Sequence, residues 1–211
     1  MSAPGDKTDQ YARKAAAWSD AEYADARAYL DHRAELICSL GVPLDPGDGV
    51  LDLACGDGGL GAFLMSRGLR YAGVDAEPAM VDAARRRLGH AAPVAQGDLN
   101  LYEPPGPVAA TTVFRAIYYA HDRRTFFGRV AGYTERKLVF DLNPRQYRVA
   151  DVLAELHDAG FARIELRPFC IPQTRHLPGP AVGLLKAVER SGPLARLALR
   201  TRFTYVVAAV R

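Results

Sequence analysis

A single stretch in the first third of the chain decides the fold, and it reads Val50-Leu51-Asp52-Leu53-Ala54-Cys55-Gly56-Asp57-Gly58-Gly59-Leu60-Gly61. The apolar run Val50–Leu53 is typical of a buried β-strand. The small residues that follow form a tight loop, and the segment after them predicts a helix. A strand, a glycine-rich loop and a helix in this order place free backbone N–H groups against a ligand in open α/β sheets. A tight turn without a ligand is the alternative, but alternating glycines flanked by carboxylates favour a binding loop.

The rest of the chain alternates short apolar segments with helical segments. Strands are predicted at Val50–Leu53, Tyr71–Val74, Pro93–Gln96, Ala109–Phe114, Lys137–Leu142, Phe161–Arg167 and Phe203–Val210. Helices are predicted between them at Leu60–Arg67, Pro78–Leu88, Asp122–Gly132 and Gln146–Ala159. This alternation predicts an α/β fold in which helices cover both faces of a mostly parallel sheet.

The segment before the first strand is predicted to be helical. A first helix spans Tyr11–Trp18, and a second helix is capped by Asp20 and ends near Leu40. We therefore expect an N-terminal helical cap over residues 1–40, followed by a binding domain over residues 41–211.

Residues 170–201 form a long insertion before the last predicted strand. The insertion contains four prolines and a predicted helix at Ala181–Arg190. Connections of this length are usually functional. Residues 163–211, which include the insertion, contain nine Lys and Arg against two Asp and Glu, so this segment has a net positive charge whereas residues 1–162 have a net negative one. That charge predicts either a surface for an anionic molecule or a solvated face.

Composition excludes several classes of protein. The 211 residues are 49% hydrophobic and 24% charged, as in one ordinary globular domain. The longest apolar run, Phe203–Val210, is far shorter than the roughly 20 residues of a membrane span. The polar N-terminus predicts no secretory signal. Cys38, Cys55 and Cys170 are odd in number and form no C-x-x-C pair, so we expect no disulfide framework, no metal site and a cytoplasmic location.

The charges around the glycine loop bear on which nucleotide it holds. Gly56, Gly58 and Gly61 fit the G-x-G-x-x-G pattern of dinucleotide-binding loops. Asp52 and Asp57, however, would repel a pyrophosphate and attract a cationic ligand. S-adenosylmethionine (SAM) carries a sulfonium and an ammonium and no phosphate. The charges therefore favour SAM over a dinucleotide.

Three motifs together resemble those of class I SAM-dependent methyltransferases. LDLACGDGG resembles their first motif, D-x-G-C-G-x-G, with Ala54 in place of the first glycine. Asp75 matches the acid that ends the second strand and binds the ribose hydroxyls, and Gly97-Asp98 resembles the motif whose acid meets the adenine amino group. The three motifs span Val50–Leu99. The resemblance implies a Rossmann-like seven-stranded sheet with Phe203–Val210 as an antiparallel edge strand.

The resemblance also implies SAM as cofactor and S-adenosylhomocysteine as product. The residues that it implies for cofactor binding follow the first four strands: Asp52, Ala54, Cys55, Gly56, Gly58, Asp75, Ala76, Met80, Gly97, Asp98, Leu99, Phe114 and Arg115. Cys55 is expected to offer its backbone rather than to act as a nucleophile. The usual acid at the start of the fourth strand and the L-K-P-G-G turn before the fifth are missing, which leaves the subfamily open.

Candidate residues for the methyl acceptor follow the fourth strand. Methyl transfer from a sulfonium is an in-line displacement that needs a general base only where the acceptor carries a proton. His121 is the candidate base, or else it only orients its loop. Tyr118 and Tyr119 either stack on the acceptor or pack in the core, and Arg115 either holds a substrate carboxylate or pairs with a surface acid.

Two further groups are candidates for covering the acceptor. Tyr11, Trp18 and Tyr23 form a lid over the site or serve as ordinary packing residues. Arg175 and His176 in the basic insertion either attract an anionic acceptor or lie on a solvated face.

Three functions are consistent with the sequence. The first is methylation of a small molecule, with oxygen as the expected atom. The second is methylation of a macromolecule such as RNA or a protein, and the third is SAM binding without transfer. The sequence has no nucleic-acid-binding module and no continuous basic stripe, so we expect a small-molecule acceptor and no nucleic-acid partner.

Overall fold

The computed structural model describes residue 19 and residues 22–200 and 204–211. The described strands form one seven-stranded sheet: β1 (Gly49–Leu53), β2 (Arg70–Asp75), β3 (Val94–Gln96), β4 (Val108–Val113), β5 (Thr134–Leu142), β6 (Arg163–Pro168) and β7 (Tyr205–Val210). The strand order is β3-β2-β1-β4-β5-β7-β6. β7 is antiparallel to both of its neighbours, and the remaining neighbouring pairs are parallel. The predicted Rossmann-like, mostly parallel sheet is confirmed.

The last strand lies inside the sheet rather than at its edge. β7 pairs with β5 on one side and with β6 on the other, and all six of its residues are buried. A strand buried on both faces has a continuous apolar sequence, as Tyr205–Val210 does. β6 alternates charged and apolar residues and forms the edge. The antiparallel direction of the last strand was therefore predicted correctly, and its edge position was wrong.

The described helices lie close to the predicted ones. They are α1 (Ala26–Ser39), α2 (Gly59–Met65), α3 (Pro78–Leu88), α4 (Arg123–Tyr133), α5 (Val149–Asp158), α6 (Gly179–Arg190) and α7 (Gly192–Leu199), with short 3₁₀ turns at Gly89–Ala91 and Ile117–Tyr119. In the part of the chain that the structure describes, no helix is long and apolar enough to cross a membrane.

Helices cover both faces of the sheet, as predicted. α1, α2 and α3 pack with one set of strand side chains into a first core cluster, and α4 and α5 pack with the opposite set into a second. The period of two in a strand explains the division. In β7, Val206 and Ala208 belong to the first cluster, whereas Val207 and Ala209 belong to the second.

The helix before the first strand is part of the main core. Asp25 caps α1, because its carboxylate accepts a hydrogen bond from the Ala28 N–H at 2.9 Å. Leu30, Ala34 and Ile37 recur at intervals of three and four residues and form an apolar stripe on α1 that is buried against the sheet. The predicted first helix, Tyr11–Trp18, and its successor's predicted cap, Asp20, lie outside the described residues.

The insertion before the last strand docks onto α1 through charged side chains. Lys186 and Arg190 of α6 form ion pairs with Glu35 of α1. Glu189 is buried, bonds to His32 and accepts a hydrogen bond from the Cys170 N–H. Several of the basic residues therefore have acidic partners within the chain. α7 was not predicted from the sequence. Gly192-Pro193 is typical of a loop between elements, but here it occupies the first turn of a helix.

Candidate functional site

A cavity of about 730 Å³ lies at the carboxyl ends of β1, β2, β3 and β4, beside α1. Every residue predicted to contact the cofactor lines this cavity, except Gly58. Gly58 begins α2 instead, and a Cβ there would meet Ala84 and Leu88 of α3 at 3.0–3.2 Å. The carboxyl edge of a parallel sheet is the position where open α/β folds bind ligands.

The glycine loop presents its backbone to the cavity. Ala54 and Gly56 have φ angles of 61° and 57°, in the left-handed region. A Cβ placed on Gly56 would have no heavy atom within 4 Å, so a ligand can approach the backbone there. The Cys55 N–H donates to the Val74 carbonyl at 2.9 Å and ties the loop to β2. Gly61 serves packing, since a Cβ on it would lie 2.6 Å from the Tyr71 ring.

Asp75 joins the end of β2 to the glycine loop. Its Oδ2 accepts the Gly56 N–H at 2.8 Å, and its Oδ1 accepts the Glu77 N–H at 3.0 Å. Burial raises the pKa of this carboxyl, and the two backbone N–H groups oppose that rise. A carboxylate oxygen can accept more than one hydrogen bond, so Asp75 retains capacity for hydroxyl donors in the cavity.

The other two acids of the loop differ in their partners. Asp52 is 2% exposed and accepts hydrogen bonds from the Tyr71 hydroxyl at 2.8 Å and the Thr112 hydroxyl at 2.7 Å. Burial raises its pKa to about 6. Asp57 forms an ion pair with Arg87 at 2.8 Å. The repulsion of a phosphate that the sequence assigned to Asp52 and Asp57 therefore comes chiefly from Asp52, together with Asp75.

Asn100 links the end of β3 to the loop after β4. Its backbone N–H and its side-chain amide both donate to Asp98 Oδ1 at 2.8 Å, and the backbone bond is the main reason that the pKa of Asp98 is lowered. The Asn100 side-chain oxygen accepts the His121 N–H at 2.9 Å. Asn100 was not among the predicted site residues, although it directly follows the predicted motif.

The residues predicted to act on the acceptor lie along one side of the cavity. His121 is exposed at its rim, and Asp122 caps α4 by accepting the Thr125 N–H at 2.7 Å, as predicted. Tyr118 and Tyr119 line the same side with ring centroids 4.5 Å apart, and each is 48% exposed.

Arg115 and Tyr23 complete this side of the cavity. The Arg115 guanidinium lies 3.4 Å from the Glu22 carboxylate, and the Arg115 N–H donates to Asp141 at 2.6 Å. Tyr23 is buried and stacks on Tyr29 with 4.4 Å between ring centroids. Arg115 therefore has an acidic partner, and Tyr23 packs in the core while it lines the cavity.

Of the remaining predicted acceptor residues, Tyr11 and Trp18 lie outside the described residues, and Arg175 and His176 do not line the cavity. Arg175 and His176 are exposed in the insertion, and His176 lies 3.6 Å from the Asp25 carboxylate. The insertion packs on α1 and leaves both side chains exposed to solvent. Neither side chain contacts the cavity, so neither supports the predicted anionic acceptor.

Sequence reasoning missed one cavity residue of unusual character. Arg33 lies on the buried side of α1 and lines the cavity, although it is only 3% exposed. A charge at position 33, flanked by the apolar stripe residues Leu30 and Ala34, was the signal in the sequence. A stripe of this kind predicts burial for its apolar members but not for an arginine among them.

Comparisons with known proteins agree with this architecture. Residues 50–137 match a family model described as a methyltransferase domain. A methyltransferase solved in complex with the *Haloferax volcanii* Trm112 methyltransferase activator is 21% identical, with a TM-score of 0.65 over 92% of this chain and 94% of that one. A TehB-like SAM-dependent methyltransferase from *Corynebacterium glutamicum* is 18% identical, with a TM-score of 0.64 over 98% and 100%. The magnesium protoporphyrin IX methyltransferase of *Synechocystis* with bound SAM is 18% identical, with a TM-score of 0.55 over 96% and 78%. No curated protein matches the sequence.

The sheet order, the glycine loop and the comparisons agree on the fold. The chain has the fold of class I SAM-dependent methyltransferases, and residues 50–137 match the methyltransferase-domain model. The resemblance inferred from the three sequence motifs is thereby confirmed.

Proposed function

We propose that this protein transfers a methyl group from SAM to an oxygen atom of a small-molecule acceptor. The observation that carries the proposal is the cavity itself, in which the open backbone at Gly56 and the Asp75 carboxylate face a common space. The *Synechocystis* enzyme, which has the same fold, was solved with SAM bound.

Each end of the cofactor has candidate partners among the residues of this chain. Asp75 would accept the two ribose hydroxyls, and Asp98 the adenine amino group. Asp52, buried behind the loop, would attract the positive charges of the cofactor. SAM supplies an electrophilic methyl group on a sulfonium, and the protein's task is to hold the acceptor in line with it.

The acceptor side of the cavity combines aromatic rings with one titratable group. Tyr118 and Tyr119 would contact a flat or apolar body, and His121 would take the proton from an acceptor hydroxyl. Asn100 would orient the loop that carries His121 through its hydrogen bond to the His121 N–H. A base with this function supports oxygen as the methylated atom.

The size of the cavity supports a small acceptor. A volume of about 730 Å³ is in the usual range for small-molecule sites, although it must hold the cofactor as well. We also propose that the predicted N-terminal cap, residues 1–40, closes one side of the cavity through α1, which is packed in the core beside it. The unpaired cysteines support a reducing, cytoplasmic compartment for the protein.

The test is transfer of the labelled methyl group of SAM to separate pools of small hydroxylated compounds, total RNA and protein. We expect label in the small-molecule pool, with S-adenosylhomocysteine formed in equal amount. Label confined to RNA or protein would replace the proposal with a macromolecular acceptor. SAM binding with no transfer to any pool would replace it with a binding function.

A further inference from the structure

Arg33 is a buried cation without an acidic partner in the described part of the chain. Its Nη2 donates to the Tyr29 hydroxyl at 2.9 Å, and its buried Nε finds no hydrogen-bond partner among the described residues. Among the described residues, no carboxylate lies within 4.0 Å of the guanidinium. The charges of Asp52 and Asp141 act on it only from farther away.

A charge in this position is unfavourable unless something compensates for it. Removing an ion from water costs free energy that only close partners restore, and arginine cannot relieve the cost by losing its proton. The rings of Phe114, Tyr29 and Phe169 lie 4.3, 4.8 and 5.7 Å from the guanidinium carbon and offset part of this cost. Aromatic faces, however, do not satisfy the planar row of N–H donors that the side chain presents.

The other arginine on the cavity wall shows the contrast. Arg115 also lines the cavity and lies over an aromatic ring, that of Tyr23, but it has the Glu22 carboxylate at 3.4 Å. Arg33 is more deeply buried than Arg115, and the described part of the chain offers it no such acid. Because Arg33 lines the cavity, a ligand there can supply the missing anion.

We propose that Arg33 binds the carboxylate of a ligand in this cavity. A carboxylate matches the fork of N–H groups on a guanidinium, and the pairing is strongest where water is excluded. The inference rests on the proposed function, which places two molecules in the cavity. SAM carries a carboxylate at its methionine end, and an acceptor with a carboxylate is the other source.

Two nucleoside probes separate these sources. S-adenosylhomocysteine contains the methionine-derived carboxylate, and 5′-methylthioadenosine has the same nucleoside and thioether without it. Calorimetric titration of the wild type, Arg33→Met and Arg33→Lys measures both affinities. If the cofactor is the source, Arg33→Met should weaken S-adenosylhomocysteine at least tenfold and change 5′-methylthioadenosine less than threefold. Arg33→Lys keeps the charge and should bind S-adenosylhomocysteine with an affinity between those of wild type and Arg33→Met.

A third probe covers the acceptor. If the acceptor is the source, both nucleosides should bind all three proteins alike. Benzoate should then bind the wild-type complex with S-adenosylhomocysteine at least tenfold more tightly than it binds the Arg33→Met complex, and the neutral control benzamide should not distinguish them. Equal binding of every probe to wild type and variants would overturn the proposal and leave the proposed function intact. Equal weakening of both nucleosides would also overturn it, since a structural role predicts that result.

Failure of the proposed function has a different signature. A wild-type protein that binds neither S-adenosylhomocysteine nor 5′-methylthioadenosine would overturn the proposed function and this inference together. Thermal unfolding of each variant shows whether the substitution has altered the fold, and Arg33→Lys remains informative where Arg33→Met does not fold.

Discussion

Replacing Asp75 by alanine should weaken binding of S-adenosylhomocysteine by about 30- to 100-fold. A hydrogen bond to a charged group contributes roughly 1.5–3 kcal/mol, and the carboxylate is proposed to accept two from the ribose diol. Water that enters the truncated site recovers part of this, so we expect a net loss of about 2–3 kcal/mol, at about 1.4 kcal/mol per tenfold. The measurement is calorimetric titration of wild type and variant at one pH and salt concentration.

Asp75 also holds the glycine loop, so a loss of loop structure must be separated from a loss of ligand contacts. The carboxylate accepts the Gly56 N–H at 2.8 Å, and Asp75→Asn keeps one oxygen that can accept this bond. Asp75→Asn should therefore bind with an affinity between those of wild type and Asp75→Ala. Glu77→Gln is the matched control, because it removes the same charge from the same cavity wall two residues away.

The control should change the affinity less than threefold, since Glu77 is partly exposed and solvent screens its charge. If Asp75→Ala bound S-adenosylhomocysteine as tightly as wild type, Asp75 would not be the residue that accepts the ribose hydroxyls. This role would also fail if Glu77→Gln weakened binding as much as Asp75→Ala, because general electrostatics would then account for the effect.

Three other predictions concern the same region. Burial raises the pKa of Asp52 from 3.8 to about 6, so the protonated carboxyl stabilises the fold fully below pH 4. The free energy of unfolding should therefore fall by about 3 kcal/mol as the pH rises through 6. Urea unfolding of Asp52→Asn should lack this decline, and parallel pH profiles for the two proteins would contradict it. Ala54→Gly should raise the unfolding free energy by about 1 kcal/mol, because φ at this position is 61° and a left-handed conformation strains alanine; a lower stability in denaturant would contradict this. His121→Ala should reduce turnover of a hydroxyl acceptor by about 10²-fold or more with cofactor affinity unchanged, and full turnover would leave His121 a loop-orienting residue.

Local signals explain why most elements could be predicted from the sequence. The bounds of α3 were predicted as Pro78–Leu88, because proline suits the first turn of a helix and Gly89 ends it. The glycine loop and Asp75 were placed correctly because the motif spans one β-strand, one helix and the next strand. Contacts within such a unit depend on residues that are close in sequence.

The position of β7 depends on contacts that no local pattern contains. The apolar run Tyr205–Val210 predicts a buried strand but not its neighbours, β5 and β6. The signal in the sequence was the contrast between this unbroken apolar run, which suits a strand buried on both faces, and the charged residues of β6, which suit an edge strand.

The charged residues of the site were the hardest to predict. The basic composition of the insertion made Arg175 and His176 candidates for binding an anionic acceptor. Both side chains are exposed in the structure, where α6 docks onto Glu35 and His32. The burial of Arg33 could not be predicted, because a single arginine in a helix usually faces solvent. Only the packing of α1 against the end of β4 brings Arg33 to the cavity wall.

Titration of the wild-type protein with S-adenosylhomocysteine and, separately, with NADH distinguishes a SAM-binding loop from a dinucleotide-binding loop. The glycine loop fits the sequence patterns of both ligand classes, and the carboxylates of Asp52 and Asp75 repel a pyrophosphate but not a sulfonium cofactor or its product. We expect saturable binding of S-adenosylhomocysteine at one site per chain and no measurable binding of NADH. Tight binding of NADH without binding of S-adenosylhomocysteine would contradict this expectation.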